Sequence, residues 1–216
     1  MKMRLAIIFA LLLVAGPAGP GQTKDPSLEN KDLPQKQAWS FALNVSGYLV
    51  PHDRSYASPT FAADQRHAHL EARYNYEDFE TGSLWAGYNF AVDKKLSLEV
   101  TPMLGGVFGN TNGIAPGYEF ALGYKALSLT SDGEYVITPA NTDNSFFYAW
   151  NEFVYSPAEW FHAGLVAQRT RAYSTGLDVQ RGFSVGFAHK AADFTVYTFN
   201  LGWTDPTVVL NLGLKF

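Results

Sequence analysis

The last ten residues of the sequence, 207–216, alternate between two kinds of side chain. Val208, Leu210, Leu212 and Leu214 occupy every second position, and the sequence ends at Phe216. Because successive side chains of a β-strand point to opposite faces, this pattern predicts a strand with one apolar face and one mixed, mostly polar face. A soluble sheet and a membrane barrel can both end in such a strand, so the rest of the chain has to distinguish them.

A secretory signal peptide is predicted at the other end of the sequence. The basic segment Met1-Lys-Met-Arg4 precedes an apolar run from Leu5 to Ala15, and small residues follow from Gly16. This order is typical of an export signal, and the run is too short for a permanent transmembrane helix. We predict cleavage after Ala18, a flexible periplasmic tail over residues 19–38 and a single domain over residues 39–216.

The composition favours membrane β-structure. Beyond the signal, no stretch approaches the roughly 18 apolar residues of a transmembrane helix, so a membrane span would have to be a barrel. Aromatic residues make up 15% of the chain and charged residues 17%, whereas soluble domains carry about 25% charged residues. The chain has no cysteine, and its net charge of −4 argues against nucleic acid as a partner.

Ten strands are predicted between Trp39 and Phe216, with twelve and eight as alternatives. Residues 61–76 are interpreted as one strand, and so are residues 118–137, in which the alternation changes phase near Lys125-Ala126. We interpret this change as a β-bulge, because splitting the segment gives eleven strands and bacterial single-chain barrels have an even number. Lys125-Ala126 also lacks the Asn or Gly that two-residue turns prefer. A count of twelve requires that split and a further strand near Tyr56.

The alternation also assigns side chains to the two faces of a barrel. Tyr148, Trp150 and Glu152 are predicted to point inward, because a charged side chain that faces lipid near the middle of the membrane destabilises the barrel. Four aromatic side chains are predicted to meet the membrane, two at its inner interface and two in the lipid: Tyr74 and Tyr76, then Tyr197 and Phe199.

Taken together, the signal peptide, the alternating strands, the aromatic strand ends and the terminal Phe216 resemble a small bacterial outer-membrane β-barrel protein. The resemblance is one of architecture. It implies a closed antiparallel transmembrane β-barrel in the cell outer membrane, in contact with outer-membrane lipid. It also implies that the barrel-assembly machinery reads the closing strand during biogenesis through Val208, Leu210, Leu212, Leu214 and Phe216.

Polar side chains predicted to face the lumen form the first candidate site. They are His67, His69, Glu71, Arg73, Glu99, Glu119, Glu152 and Lys215, with Asp132, Glu134 and Lys125 expected beside them. The i, i+2, i+4 spacing of His67, His69 and Glu71 can bring imidazoles to a metal. Small barrels need polar filling, however, so we interpret the set as a network that fills the lumen and assign no metal and no cofactor. If the lumen is open, its acidic interior should favour cations.

The second candidate site lies at the predicted outer rim. Arg66, Arg169, Arg171 and Arg181 are expected there, with Asp64 also above the lipid, and guanidinium groups can bind lipopolysaccharide phosphates. Some small outer-membrane barrels modify lipid A with a His, Ser and carboxylate set near this rim, and His52, Asp53 and Ser55 are the nearest candidates. Nothing in their spacing is specific to catalysis, so no catalytic residue is assigned.

The sequence therefore predicts an integral outer-membrane β-barrel with a structural, surface-interaction or small-solute permeability role. The solute could be a small molecule or an ion. Two alternatives stay open at this point. One is an outer-membrane enzyme that modifies lipids, of the lipid A deacylase or acyltransferase type. The other is a soluble periplasmic β-barrel that binds a small apolar ligand.

Overall fold

The computed structural model describes residues 38–140, 142, 145–172, 178–202 and 206–216, without the side chains of residues 170–172 and 178. The predicted signal peptide and all but residue 38 of the predicted tail lie outside this part of the chain. Within the described residues, no helix has the length and apolar character needed to cross a membrane.

The described chain is organised as antiparallel β-strands that follow one another in sequence. Their bounds are β1 Ser40–Leu49, β2 Tyr56–Gln65, β3 Ala68–Tyr74, β4 Thr81–Tyr88, β5 Phe90–Asp93, β6 Ser97–Gly109, β7 Gly113–Tyr124, β8 Leu127–Val136, β9 Phe146–Ala158, β10 Phe161–Ala172, β11 Asp178–His189, β12 Ala192–Phe199 and β13 Thr207–Lys215.

These strands close into a barrel. Strand β1 pairs with β2 on one side and with β13 on the other, and the ring is completed by pairing of β4 with β6. Strands β4 and β5 lie end to end along β6, where Gly87 is opposite Met103 and Phe90 is opposite Val100. The ring therefore has twelve strand positions. The prediction of a closed antiparallel barrel is confirmed, the preferred count of ten is wrong, and the alternative of twelve is correct.

Both missed strands result from tight turns that lack Asn and Gly. Gln65 pairs with Ala68 around Arg66-His67, and Tyr124 pairs with Leu127 around Lys125-Ala126. The first residue of each turn has a left-handed backbone, with φ of 56° at Arg66 and 54° at Lys125. This conformation costs a non-glycine residue about 1–2 kcal/mol, which the flanking ladders offset. A two-residue turn also changes the parity of the inward positions, from even to odd numbers at the first turn and from odd to even at the second. The change at Lys125-Ala126 is the one that was interpreted as a bulge, and that interpretation is wrong.

The two ends of the barrel differ in their connections. Short turns centred on residues 66–67, 94–96, 125–126, 159–160 and 190–191 share one end with the first and last strand termini, and we call this the terminal end. The longer connections lie at the opposite end, the loop end. Arg66 and Asp64 are thus at the terminal end, far from Arg169 and Arg181 at the loop end. The prediction that these four share an outer rim is wrong, because the first turn after β2 was not recognised.

The closing strand has the two faces that its sequence predicts. Leu210 and Leu212 are exposed on the outside, whereas Val209 and Asn211 are buried inside. The seam with β1 continues to the last residue, since the Phe216 N–H donates to the Phe41 carbonyl at 3.0 Å and the Phe41 N–H donates to the Phe216 carbonyl at 2.8 Å. The two rings also stack, with centroids 6.2 Å apart. Phe216 therefore helps to hold the ring closed.

Aromatic and aliphatic side chains fill the loop-end half of the interior. Trp150 is fully buried there, with its ring centroid 5.2 Å from that of Tyr197 and 5.3 Å from that of Phe199. The inward placement of Tyr148, Trp150 and Glu152 is confirmed. The outward placement of Tyr197 and Phe199 is wrong, because β12 instead presents Phe194 and Val196 to the outside. Tyr76 also lies in the interior and not in a membrane girdle.

Candidate functional site

Arg73 on β3 lies at the centre of a charged cluster below the aromatic core. Its Nε donates to Glu71 Oε2 at 2.5 Å and its Nη1 donates to Glu134 Oε2 at 3.1 Å. Its guanidinium lies between the rings of Tyr76 and Trp85, 4.1 and 4.4 Å from their centroids. Its side chain is almost completely buried. The charge is thus held by two carboxylates and two π faces, which compensate for lost hydration.

The loop between β3 and β4 folds into the barrel and completes this cluster from above. Tyr76 packs edge-on against Tyr148, and Glu77 Oε1 accepts hydrogen bonds from Ser83 Oγ at 2.5 Å and from Trp85 Nε1 at 3.3 Å. Burial raises the pKa of Glu77 despite these donors and the nearby Arg73 guanidinium. The loop therefore closes the interior with a ring and a carboxyl group that resists ionisation.

A second group of side chains surrounds His69, four residues before Arg73 on the same inward face. His69 Nδ1 lies 2.8 Å from Asp64 Oδ1, and this oxygen also accepts from Asn89 Nδ2 at 2.8 Å. Thr101 Oγ1 in turn donates to Asn89 Oδ1 at 2.7 Å. Because an ionised carboxylate only accepts hydrogen bonds, Nδ1 of His69 carries a proton. The chain of contacts fixes the orientation of the imidazole.

The other imidazole nitrogen faces two carboxylates. His69 Nε2 is 3.5 Å from Glu71 Oε1 and 4.0 Å from Glu119 Oε2. Donor atoms of the three residues all lie within 4.8 Å of one another. His69 Nε2, Glu71 Oε1 and Glu119 Oε1 are buried and have no hydrogen-bond partner. Buried polar atoms without partners are uncommon in folded proteins and need a physical explanation.

A small acidic cavity adjoins this group toward the terminal end. His69 and Glu119 form part of its wall, together with Asp64, Glu99 and Asp132. The cavity offers about 20 Å³ to the centres of water-sized molecules, which is room for one or two waters or for an ion. The arrangement can therefore accommodate a small cation beside the imidazole.

Glu152 lies in a separate polar group on the other side of the interior. Its Oε1 accepts from Ser184 Oγ at 2.7 Å, and its Oε2 accepts from Tyr197 Oη at 3.4 Å. It is fully buried and does not belong to the Arg73 cluster.

The structure brings together only part of the predicted lumen set. His69, Glu71, Arg73 and Glu119 are joined by the contacts above, and Glu134 joins them through Arg73. His67 is exposed outside the lumen, because it belongs to the first turn, and its ring stacks on that of Tyr88 at 5.0 Å. Lys125 also lies in a turn and is exposed, with Nζ 5.3 Å from the centroid of Tyr124. Glu99 is half-buried at the cavity, and Lys215 ends β13 at the terminal end.

At the loop end, Arg169 and Arg181 are exposed on the outward face of two paired strands, two residue pairs apart in the register. The side chain of Arg171 lies outside the described part. His52, Asp53 and Ser55 are exposed in the loop after β1, where Asp53 Oδ1 accepts from the Arg54 backbone N–H at 2.7 Å.

Sequence reasoning missed the roles of Asp64, Asn89 and Glu77. Asp64 was assigned to the outside because the turn at Arg66-His67 went unrecognised, although a hairpin at that point would have turned it inward. Asn89 faces the interior as its strand pattern indicates, but nothing in the sequence links it to Asp64. Glu77 follows β3 in a loop, and no sequence pattern shows that this loop folds inward.

No family model matches the sequence, and no curated protein matches it either. Solved structures do share the fold. The KdgM porin superimposes with a TM-score of 0.59 at 11% sequence identity, over 81% of this chain and 99% of the porin. The KdgM porin in complex with disordered oligogalacturonate gives a TM-score of 0.58 at 10% identity, over the same shares of the two chains. The chain therefore has the fold of small outer-membrane porins.

Proposed function

We propose that this chain is an outer-membrane β-barrel that allows small solutes, and cations in particular, to cross the membrane. The closed ring of antiparallel strands, together with the fold that the chain shares with the KdgM porin, supports a membrane barrel. The outward belt of large apolar side chains supports it as well, since Leu84, Leu104, Leu165 and Phe183 are each more than half exposed. Short turns are periplasmic in barrels of this kind, so the terminal end faces the periplasm.

The expected preference for cations rests on the negative charge of the carboxylates in the interior. Among the described residues, the carboxylates of Glu71, Glu99, Glu119, Asp132 and Glu134 lie in or beside the charged cluster and its cavity. Carboxylates that line a narrow path lower the energy of a passing cation and raise that of an anion. An acidic oligosaccharide of the kind found in the KdgM complex would meet like charge here, so we expect a different solute.

The aromatic core sets the size of the path. Tyr48, Tyr148 and Trp150 are fully buried at the loop end, so they leave no wide opening beside them. Passage in this conformation is therefore limited to water and small ions, and larger solutes require displacement of the β3–β4 loop. We expect low conductance with brief openings.

Recordings in planar lipid bilayers test the proposal. A gradient of potassium chloride across the membrane should give a reversal potential on the cation-selective side. Glu99→Gln and Asp132→Asn should each reduce this potential, whereas Glu159→Gln removes the same charge from an exposed turn and should change it much less. Correctly folded protein that is electrically silent, or that prefers anions, would contradict the function.

The membrane location has its own test. A folded barrel of this type should require detergent for extraction and should migrate differently on a gel before and after boiling. A monodisperse monomer that forms without detergent would favour the soluble alternative. An unchanged lipid A profile in cells that express the protein would count against the enzyme alternative.

We also propose that the loop end of the barrel contacts lipopolysaccharide. Arg169 and Arg181 are exposed on neighbouring strands above the apolar belt, where guanidinium groups can bind phosphates. Replacing both with Gln should weaken retention of lipopolysaccharide by the purified protein, while Arg54→Gln in the first loop serves as the control.

A further inference from the structure

We infer that His69, Glu71 and Glu119 bind a divalent transition-metal ion, of which Zn²⁺ is the best representative, inside the barrel. Imidazole nitrogen and carboxylate oxygen both bind zinc, and open zinc sites use three protein ligands and keep a fourth position for water. This inference does not depend on the proposed permeability, because a metal can be bound in a barrel that conducts nothing.

The distances fit one ion. Two donors bound tetrahedrally to zinc at about 2.1 Å lie about 3.4 Å apart. His69 Nε2 and Glu71 Oε1 are 3.5 Å apart, and His69 Nε2 and Glu119 Oε2 are 4.0 Å apart. Small rotations of the Glu119 side chain would bring it to the same ion. The cavity beside His69 and Glu119 offers room for the ion and for a water ligand.

Buried polar atoms without hydrogen-bond partners are a second, independent observation that supports the metal site. His69 and Glu71 are more than nine-tenths buried, and each directs a polar atom without a hydrogen-bond partner into the group: Nε2 of His69 and Oε1 of Glu71. Arg73 donates to Oε2 of Glu71, so the carboxylate is held and its Oε1, which has no hydrogen-bond partner, is fixed in place. A cation at this point would satisfy both atoms at once.

The surroundings of His69 match those of a metal-binding histidine. In such sites the second ring nitrogen usually donates to a carboxylate, which sets the tautomer and orients the ring. Asp64 accepts from Nδ1 in this way, and Asn89 and Thr101 hold Asp64 in turn. Nε2 is thereby presented to Glu71 and Glu119. Asp64 is a positioning residue in this arrangement and not a ligand.

The site would join parts of the wall that do not pair directly. His69 and Glu71 are on β3 and Glu119 is on β7, and the positions of β4 and β6 lie between them in the ring. A bound ion would therefore cross-link the interior and stabilise the folded barrel by mass action.

The test uses the folded chain in detergent, stripped with a chelator and titrated with zinc chloride by calorimetry. We expect one zinc per chain and a higher unfolding temperature after zinc is added. His69→Gln and Glu119→Gln should each weaken binding at least tenfold. Asp64→Asn, which keeps every ligand, should weaken it about 10- to 100-fold. His67→Gln is the matched control, because this histidine is two residues away but exposed outside the lumen, and it should leave binding unchanged.

X-ray absorption of the zinc-loaded native chain gives a result that needs no variant. We expect one nitrogen ligand at about 2.0–2.1 Å and oxygen ligands at about 2.0–2.2 Å. Absence of zinc uptake would overturn the inference. The His69 imidazole would then be one of the hydrogen-bonded side chains that fill the lumen. Oxygen ligands alone, or equal loss of binding in His67→Gln and His69→Gln, would overturn it as well. If His69→Gln does not fold, Asp64→Asn and Glu119→Gln decide the outcome.

Discussion

Replacing Arg73 with Gln should destabilise the barrel more than any other change of a single charge in the cluster. Arg73 is almost fully buried, donates to Glu71 and Glu134, and lies between the rings of Tyr76 and Trp85. Removing one partner of a buried ion pair typically costs about 3–5 kcal/mol, because the remaining charge is left without compensation. Here two carboxylates lose their partner, so we expect a cost at the upper end of this range, about 4–5 kcal/mol.

The exposed pair Arg54–Glu80 provides the matched control. Arg54 Nη1 is 3.8 Å from Glu80 Oε1, and both side chains are more than two-thirds exposed. Exposed ion pairs contribute about 0–1 kcal/mol, so Arg54→Gln should change stability by less than about 1 kcal/mol. The comparison therefore separates the effect of burial from the loss of a guanidinium.

Equilibrium unfolding in urea, followed by tryptophan fluorescence in detergent or lipid, measures both variants. The double variant Arg73→Gln with Glu134→Gln should recover part of the loss, with a coupling energy of about 0.5–3 kcal/mol. A cost for Arg73→Gln no greater than that for Arg54→Gln, or additive effects in the double variant, would refute the assignment of Arg73 as the central counter-charge.

Three further predictions concern the aromatic core, the seam and the inward loop. Trp150→Ala should lower the free energy of unfolding by about 3–5 kcal/mol and raise single-channel conductance, because it removes the buried ring that contacts Tyr197 and Phe199; an unchanged conductance would show that Trp150 does not form the constriction. Deleting Phe216 should reduce assembled, heat-modifiable barrel in the outer membrane, while Lys215→Gln should not; normal assembly without Phe216 would contradict the role of the closing strand. Burial raises the pKa of Glu77 above its ordinary value of 4.5, so folding keeps its full stability below that value and loses part of it as the pH rises. Glu77→Gln should therefore weaken the pH dependence of urea unfolding above pH 4.5, and an identical pH profile would contradict the raised pKa of Glu77.

Most of the outward and inward assignments follow from the period of two. They hold in the closing strand and in β9, where alternate apolar residues leave little choice. They fail in β12, because Thr195, Tyr197 and Phe199 compete with Phe194, Val196 and Thr198, and both sets contain aromatic residues. The inward placement brings Tyr197 and Phe199 into contact with Trp150 on β9. This contact joins residues far apart in sequence, so no local pattern contains it.

The sequence indicates which types of residue form the candidate site, but it does not indicate which individual residues belong to the site. The spacing of His69, Glu71 and Arg73 on one strand shows that they share a face. It cannot show that His67 has left that face, which depends on a left-handed Arg66. It also cannot show that Glu119 replaces His67 beside His69, since that contact depends on the shape of the closed ring. Turn geometry and ring closure therefore decided the chemistry of the site.

The closed interior follows from side-chain size and not from strand number. Barrels of about eight strands are filled by ordinary side chains, whereas those of sixteen or more leave a channel. A ring of twelve lies between these cases, and here it is filled at the loop end by Trp150, Tyr148 and the inserted Tyr76. The terminal end carries charged side chains, so a cation that enters from this end meets carboxylates before it meets aromatic rings. Under the proposed function, selectivity for cations is therefore expected from the terminal half of the barrel and closure from the loop half, so a substitution in the terminal half should change the first property without changing the second.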